Sequence, residues 1–236
     1  MAALVQSVSA TGTVTPLPLT LPSASTPGNC LVACIGGSGT SGNPTVSGIT
    51  LGGAAGNFAQ ALTEGVPSTA SESLYIWSDW NCGGGQTAVS IAFSAFTGSV
   101  DATVMEFSGL FNTNPVDQTA GQDNDAGVTS WTSTGTSATS QPVEVAVGCV
   151  VGYNASGIGT ITGPTSPWNL LTQVTSASTH FGLLAGYQLL SASAAVTYAG
   201  SFAASSNYAA GVVTFKTAPL LARPRGIQAV RRAAYY

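Results

Sequence analysis

Positive charge is missing from almost the whole of this chain. Residues 1–215 contain no Lys or Arg, and the five cations of the 236-residue sequence are Lys216, Arg223, Arg225, Arg231 and Arg232. All nine carboxylates lie before them, so the formal net charge of −4 divides into a −9 body and a +5 tail. Charged residues of both signs make up only 6% of the sequence, where about a quarter is usual, while the apolar fraction of 44% is ordinary. Disorder goes with low hydrophobicity and high charge, so this composition points to a folded chain. A surface so poor in charge is sticky when bare, which implies extensive contact with other protein.

Other absences narrow the chemistry. No apolar run is long enough for a transmembrane helix. The opening "MAALVQSVSATG" has no basic n-region, so no signal peptide is expected, and synthesis and assembly in a cytoplasm follow. His180 is the only histidine, so any Ser-His-Asp or Cys-His mechanism would have to be built on it. It opens the predicted strand "THFGLL" with no nucleophile motif nearby and reads as a structural or surface residue. Gly37, Gly39 and Gly42 satisfy G-x-G-x-x-G, but "NPTVSGITLGG" follows where a phosphate-binding helix would have to begin, so the stretch reads as a glycine-rich hairpin loop. Asp117, Asp123 and Asp125 in "DQTAGQDNDAG" lack the spacing of a calcium loop and read as a solvated loop. Glu72, Asp79 and Glu106 offer a glycosidase pair only if the fold sets their separation. No catalytic residue, no metal and no cofactor is therefore expected.

The four cysteines read as structural. Cys30 and Cys34 share one predicted strand, roughly 13 Å apart at about 3.3 Å per residue, beyond disulfide reach. Cys34 and Cys149 sit in apolar strands as small buried hydrophobes, and Cys82 sits in the turn "NCGGG".

What is present is a period of two. "TAVSIAFSA" puts Val89, Ile91, Phe93 and Ala95 on one face, and "PVEVAVGCVV" does the same with Val143, Val145, Val147, Cys149 and Val151. "HFGLLAGYQLL", "AAVTYAGSFA" and "YAAGVVTFK" repeat it, separated by Gly, Ser, Asn and Pro clusters. No helical repeat appears in the body. The strands of residues 29–110 recur in order over 143–216, with Cys34 falling on Cys149. Such a duplication makes either two small sandwiches or two Greek-key halves of one jelly roll. The link over 110–142 is loop-like but neither charged nor Pro-rich, which favours one unit. The predicted architecture is an all-β, jelly-roll-like antiparallel sandwich over 29–216. Residues 1–28 form an N-terminal strand or arm, its prolines confining "TPLPLTLP" to an edge, and 217–236 form an extended basic arm.

Two stretches can carry function. In "LYIWSDW", Tyr75, Trp77 and Asp79 share a face, and aromatics beside a carboxylate can form a sugar platform; the alternative is that Trp77 or Trp80 fills the core. The tail "APLLARPRGIQAVRRAAYY" has three readings. Four arginines beside a −9 body suit a nucleic acid poorly, because the body repels the duplex, and apolar residues are too few for a membrane anchor. The reading adopted is a docking arm: prolines keep it extended, Leu220, Leu221 and Ile227 offer apolar plugs, and Lys216, Arg223, Arg225, Arg231 and Arg232 offer contacts to carboxylates.

The run "GNCLVACIGG", "LYIWSDW", "GGGQTAVSIAFS" and "ATVMEFSGL…PVDQTA" resembles β-sandwich virion proteins of tailed bacteriophages, especially those of actinobacteria, over roughly residues 28–120. The resemblance implies an accessory virion role, as a head decoration or minor capsid protein or a minor tail protein, and brings no site residues with it. Major capsid protein or neighbouring virion subunits are then the expected partners, with a homo-oligomer expected. Host surface glycans are the partner in the adhesin alternative.

Overall fold

The computed structural model describes residues 1–39, 44–65, 72–94, 98–178 and 180–219. The fold is all-β, with several antiparallel sheets packed together and no helix among the described residues. The first half contributes β1 (Ala3–Gly12), β2 (Leu17–Thr20), β3 (Cys30–Gly39), β4 (Val46–Leu51), β5 (Ala54–Ala55), β6 (Phe58–Glu64), β7 (Ser73–Asp79), β8 (Ala88–Phe93) and β9 (Gly98–Ser108). They form two sheets, ordered β1-β9-β3-β7-β6 and β2-β8-β4-β5. The pairing is nested: β1 with β9, β2 with β8, β3 with β7 and β4 with β5. Pro18 sits in β2, an edge strand, where the missing N–H interrupts no inner ladder.

The second half contributes β10 (Val116–Gly135), β11 (Glu144–Tyr153), β12 (Ile161–Thr162), β13 (Asn169–Leu170), β14 (Val174–Thr175), β15 (Phe181–Leu189) and β16 (Thr197–Lys216). They make one sheet with the main order β10-β16-β11-β15-β13. Every strand of the first two sheets thus comes from residues 3–108 and every strand of the third from 116–216. The halves do not pool strands as two halves of one sandwich would; they lie face to face.

The duplication is visible strand by strand. Cys34 pairs with Ile76 on β7 and Thr103 on β9, while Cys149 pairs with Ala185 on β15 and Gly211 on β16. So β9-β3-β7 matches β16-β11-β15, with β1 and β10 as the corresponding neighbours. The "AAVTYAGSFA" and "YAAGVVTFK" segments, expected as two strands, are one continuous β16. Its register with β10 shifts between Asn124 and Val128 and again before Ser130, bulges that let a strand bend from one layer to the next. β16 therefore does in one piece what β8 and β9 do in two.

Three cores result. One lies between the two sheets of the first half and contains Leu17, Leu31, Ile35, Ile91 and Val104. A second lies under the bent part of the second half, around Trp131, Tyr198 and Phe202. The third joins the halves, with Cys34, Ile76 and Phe107 from one side and Val147, Cys149 and Phe215 from the other. β7 packs on β11 and β16 as β15 packs on β3 and β9, the reciprocal pattern of a two-fold interface inside one chain. Cys34 and Cys149, the matching cysteines of the two halves, both lie in it. β3, β7 and β11 are consequently buried on both faces. In β11 the side away from the other half is kept small: Gly148 lies under the Tyr198 ring, where a Cβ would collide with it.

Candidate functional site

The root of the basic tail is built into the body. β16 ends at Lys216, whose N–H donates to the Pro115 carbonyl (2.7 Å) and whose carbonyl accepts from Phe111 N–H (3.0 Å). Thr217 Oγ1 donates to the Val143 carbonyl (2.8 Å), and Ala218 N–H to the Gly109 carbonyl (2.9 Å). The Lys216 ammonium lies 3.8 Å from Asp117 Oδ1. Burial alone would raise the Asp117 pKa, but the Ser140 N–H (2.6 Å) and hydroxyl (2.7 Å) both donate to it, and the carboxyl ends below its ordinary value. Glu144, opposite Lys216 in the ladder, is pushed up to about 7 by burial, with the Asp117 charge adding to it. The Lys216 ammonium thus faces Asp117, and burial shifts Glu144 toward its protonated form.

Beside this root opens an apolar groove of about 480 Å³, lined by Met1, Phe111, Pro142, Val143, Ala218 and Pro219. Val143, expected on the inner face of its strand, lies just before β11 and is 43% exposed at the groove wall. Of the predicted arm residues, Lys216 is placed by the structure. Leu220, Leu221, Arg223, Arg225, Ile227, Arg231 and Arg232 lie outside the described residues.

The other sequence candidates separate from one another. Tyr75, Trp77 and Asp79 share a face as expected, but that face packs into the first-half core, with Tyr75 and Asp79 buried and Trp77 half-buried. Asp79 accepts the Asn57 N–H (3.0 Å). No aromatic platform stands open to solvent there, because β7 is an inner strand covered on both sides. Glu106 is enclosed with Gln6, Thr26 and Asn29; burial would raise its pKa, and donation from those three holds it below the usual range. Glu72, Asp79 and Glu106 therefore form no open carboxylate pair.

Asp117, Asp123 and Asp125 do not sit in a loop. They lie along β10, which extends through most of the segment expected to be a link, and Asp117 serves the tail root while the other two lie farther along the strand. Its Thr, Ser, Asp and Gly content hid a strand that is held by the β16 ladder rather than by an apolar face. Among the described residues no group of three or more His, Cys, Asp or Glu side chains is placed to hold a metal ion. All four cysteines are buried and free.

Comparison with known proteins adds no relative. No family model, curated protein or solved structure matches this chain. The remaining candidates rest on geometry alone. His180 lines a crevice with Ser38, Ser99 and Ser178, and among the described residues that line it there is no carboxylate to orient the imidazole. Of the G-x-G-x-x-G residues, Gly37 and Gly39 belong to β3 and Gly42 lies outside the described residues; the next described element is the strand β4. Among the described residues no helix is long and apolar enough to cross a membrane. One feature escaped the sequence reading: Glu64, at the end of an edge strand, faces β10 across the seam between the halves, and a Cβ on Gly121 would run into its carboxylate.

Proposed function

We propose that this chain is a non-enzymatic structural protein of a bacteriophage virion, a capsid decoration or minor capsid protein docked on the shell through its C-terminal arm. The observation that carries the reading is the charge division: Lys216, the one Lys or Arg among the described residues, lies beside Asp117, and the other four cations of the sequence are the arginines that follow it. The root fastened at Lys216, Thr217 and Ala218 supports the same reading, since an arm that bears load needs a fixed origin. The nested pairing of the first half reads as a jelly-roll wrap, an architecture common in viral shells. Synthesis in a host cytoplasm and oligomerisation on the particle go with this role.

The alternative is a minor tail protein or carbohydrate-binding adhesin using Tyr75, Trp77 and Asp79. It is the weaker reading because those three side chains pack inward.

The test is co-sedimentation with undecorated phage heads at low and high salt, comparing the full chain with one ending at Pro219. That cut spares the hydrogen bonds of Lys216, Thr217 and Ala218. Pelleting of the full chain alone supports the docking arm. Equal pelleting of both moves the contact to the body, and pelleting of neither removes the capsid reading.

A further inference from the structure

The face of β7 opposite to Tyr75, Trp77 and Asp79 turns toward the second half, and Leu74 and Ile76 on it enter the core that joins the halves. Ser78, two residues on, is fully buried, and its hydroxyl has no hydrogen-bond partner. Trp80 follows on the same side, half-buried and packed against the edge of that core. Here the core gives way to a crevice of about 280 Å³. Ser78 and Trp80 line it from the end of β7, and Val116 at the start of β10 closes it from the second half. Gln60 of β6 and Asn114 stand exposed at its rim. Because Val116 lies across from the Ile76 face of β7, the crevice is on the side to which the Ser78 side chain points. A buried hydroxyl without a partner costs free energy, so the fold gains nothing from a serine at this position. A ligand in the crevice would bring the missing partner.

The lining selects that ligand. Among the described residues that line the crevice none is charged, so an anion finds no cation there and a cation no carboxylate. A purely apolar ligand would leave the Ser78 hydroxyl unpaired. What matches is a neutral ring with hydroxyls on its edge and C–H groups on its face. The hydroxyls donate and accept, as the Ser78 hydroxyl and the Gln60 and Asn114 amides do, and the C–H face lies on the electron-rich face of the Trp80 indole. We infer that this crevice binds one pyranose ring of a carbohydrate, with Trp80 as its platform and Ser78 as its polar anchor. Sites for drug-sized ligands measure roughly 300–1,000 Å³, so a volume just below that range suits a single ring. The inference does not rest on the capsid-docking reading. It moves the sugar surface expected from "LYIWSDW" to the other side of the same strand.

Saturation-transfer NMR on the full chain tests this, with the methyl pyranosides of glucose, galactose, mannose and N-acetylglucosamine as probes. At least one is expected to take up saturation, most strongly on the C–H groups of one ring face. Ser78→Ala and Trp80→Ala are each expected to weaken its binding about tenfold, and Trp77→Phe to leave it unchanged. Without sugar, Ser78→Ala is expected to melt at or above the wild-type temperature, because it removes a hydroxyl that the fold leaves unpaired. A serine kept for structure would instead lower it. A cooperative melting transition shows that Trp80→Ala folds, and Ser78→Ala carries the test if it does not. The inference is overturned if no probe takes up saturation, if binding survives in Ser78→Ala, or if Ser78→Ala melts below wild type. Binding lost in Trp77→Phe but kept in Trp80→Ala also overturns it and returns the ligand to the Tyr75 face. Co-sedimentation of Ser78→Ala with phage heads separates this proposal from the docking arm, since the arm does not require the crevice.

Discussion

Acidification from about pH 8 to about pH 5 should stabilise this protein, and Glu72→Gln should remove much of the effect. Burial pushes Glu72 up to about 8, with the Asp125 and Asp123 charges adding to it. Burial also raises Asp101 and Glu144, each to about 7. Their ordinary values are 4.5 for Glu and 3.8 for Asp. Between the two limits the native state keeps protons that the unfolded chain has lost, so stability falls as pH rises. Below the ordinary values both states are protonated and the difference vanishes. One such group changes stability by at most ~1.4 kcal/mol per pH unit, hence by ~2.7 kcal/mol for Glu72 alone between about pH 5 and 7. At ~2–4 °C per kcal/mol for a chain of this size, that is ~5–10 °C in melting temperature. Glu64 and Asp79 are also raised by burial and act in the same sense. Glu106 and Asp117 are held below their ordinary values, so their stabilisation is lost only in more acid solution, outside the window. Thermal unfolding across the range should show wild type losing stability toward pH 8. Glu72→Gln should match it near pH 5 and exceed it near pH 8. A wild-type curve that is flat or rises from pH 5 to 7, or a Gln variant less stable than wild type at pH 8, refutes the argument.

Trp77→Ala should cost ~3–5 kcal/mol of stability in a urea titration, because its ring packs into the first-half core; an unchanged midpoint with loss of glycan binding would return Trp77 to a ligand surface. Gly148→Val should destabilise by ~1–3 kcal/mol as Tyr198 is forced away, read from the same titration. Iodoacetamide should modify none of the four cysteines in the native protein and all four after denaturation, by intact mass. Burial raises the Cys30 and Cys149 thiols, pushes Cys82 up to about 12, and hides all four. Trypsin has no site before Lys216, and brief digestion should cut within the tail before it cuts after Lys216, whose backbone is bonded to Pro115 and Phe111; prompt cleavage at Lys216 would mean the root is not fastened.

The inner strands were legible because their alternation is strong. Leu74 and Ile76 face one core and Tyr75 and Trp77 the other, the division that alternation in "LYIWSDW" requires. Alternation alone does not say whether the second face is wet, and here neither is. The signal for double burial was present in the near-absence of charge from β3, β7 and β11, and in Gly148 and Gly152 opposite aromatic rings. β10 was not legible. Its "DQTAGQDNDAGVTS" has turn composition and no apolar face, and only the long partner β16 makes it a strand. The seam followed it into obscurity, since Glu64 and Asp123 come together only when the edge strand β6 lies beside the edge strand β10. The duplication was legible through Cys34 and Cys149, but sequence equivalence leaves open whether two repeats interleave or stack.

Stacking explains the charge distribution. Two halves stacked through a third core leave the inner strands of the central sheets no wet face, so basic side chains on those strands would be buried, and few polar groups are tolerated there. The body still carries nine carboxylates against one lysine. Glu106 is satisfied by neutral donors and Asp117 by Ser140 and Lys216, whereas Glu72 and Asp101 have no hydrogen-bond partner and Glu144 leaves one oxygen bare. Only protons or cations from outside the body can offset those groups. The same chain carries four arginines just beyond its fastened end.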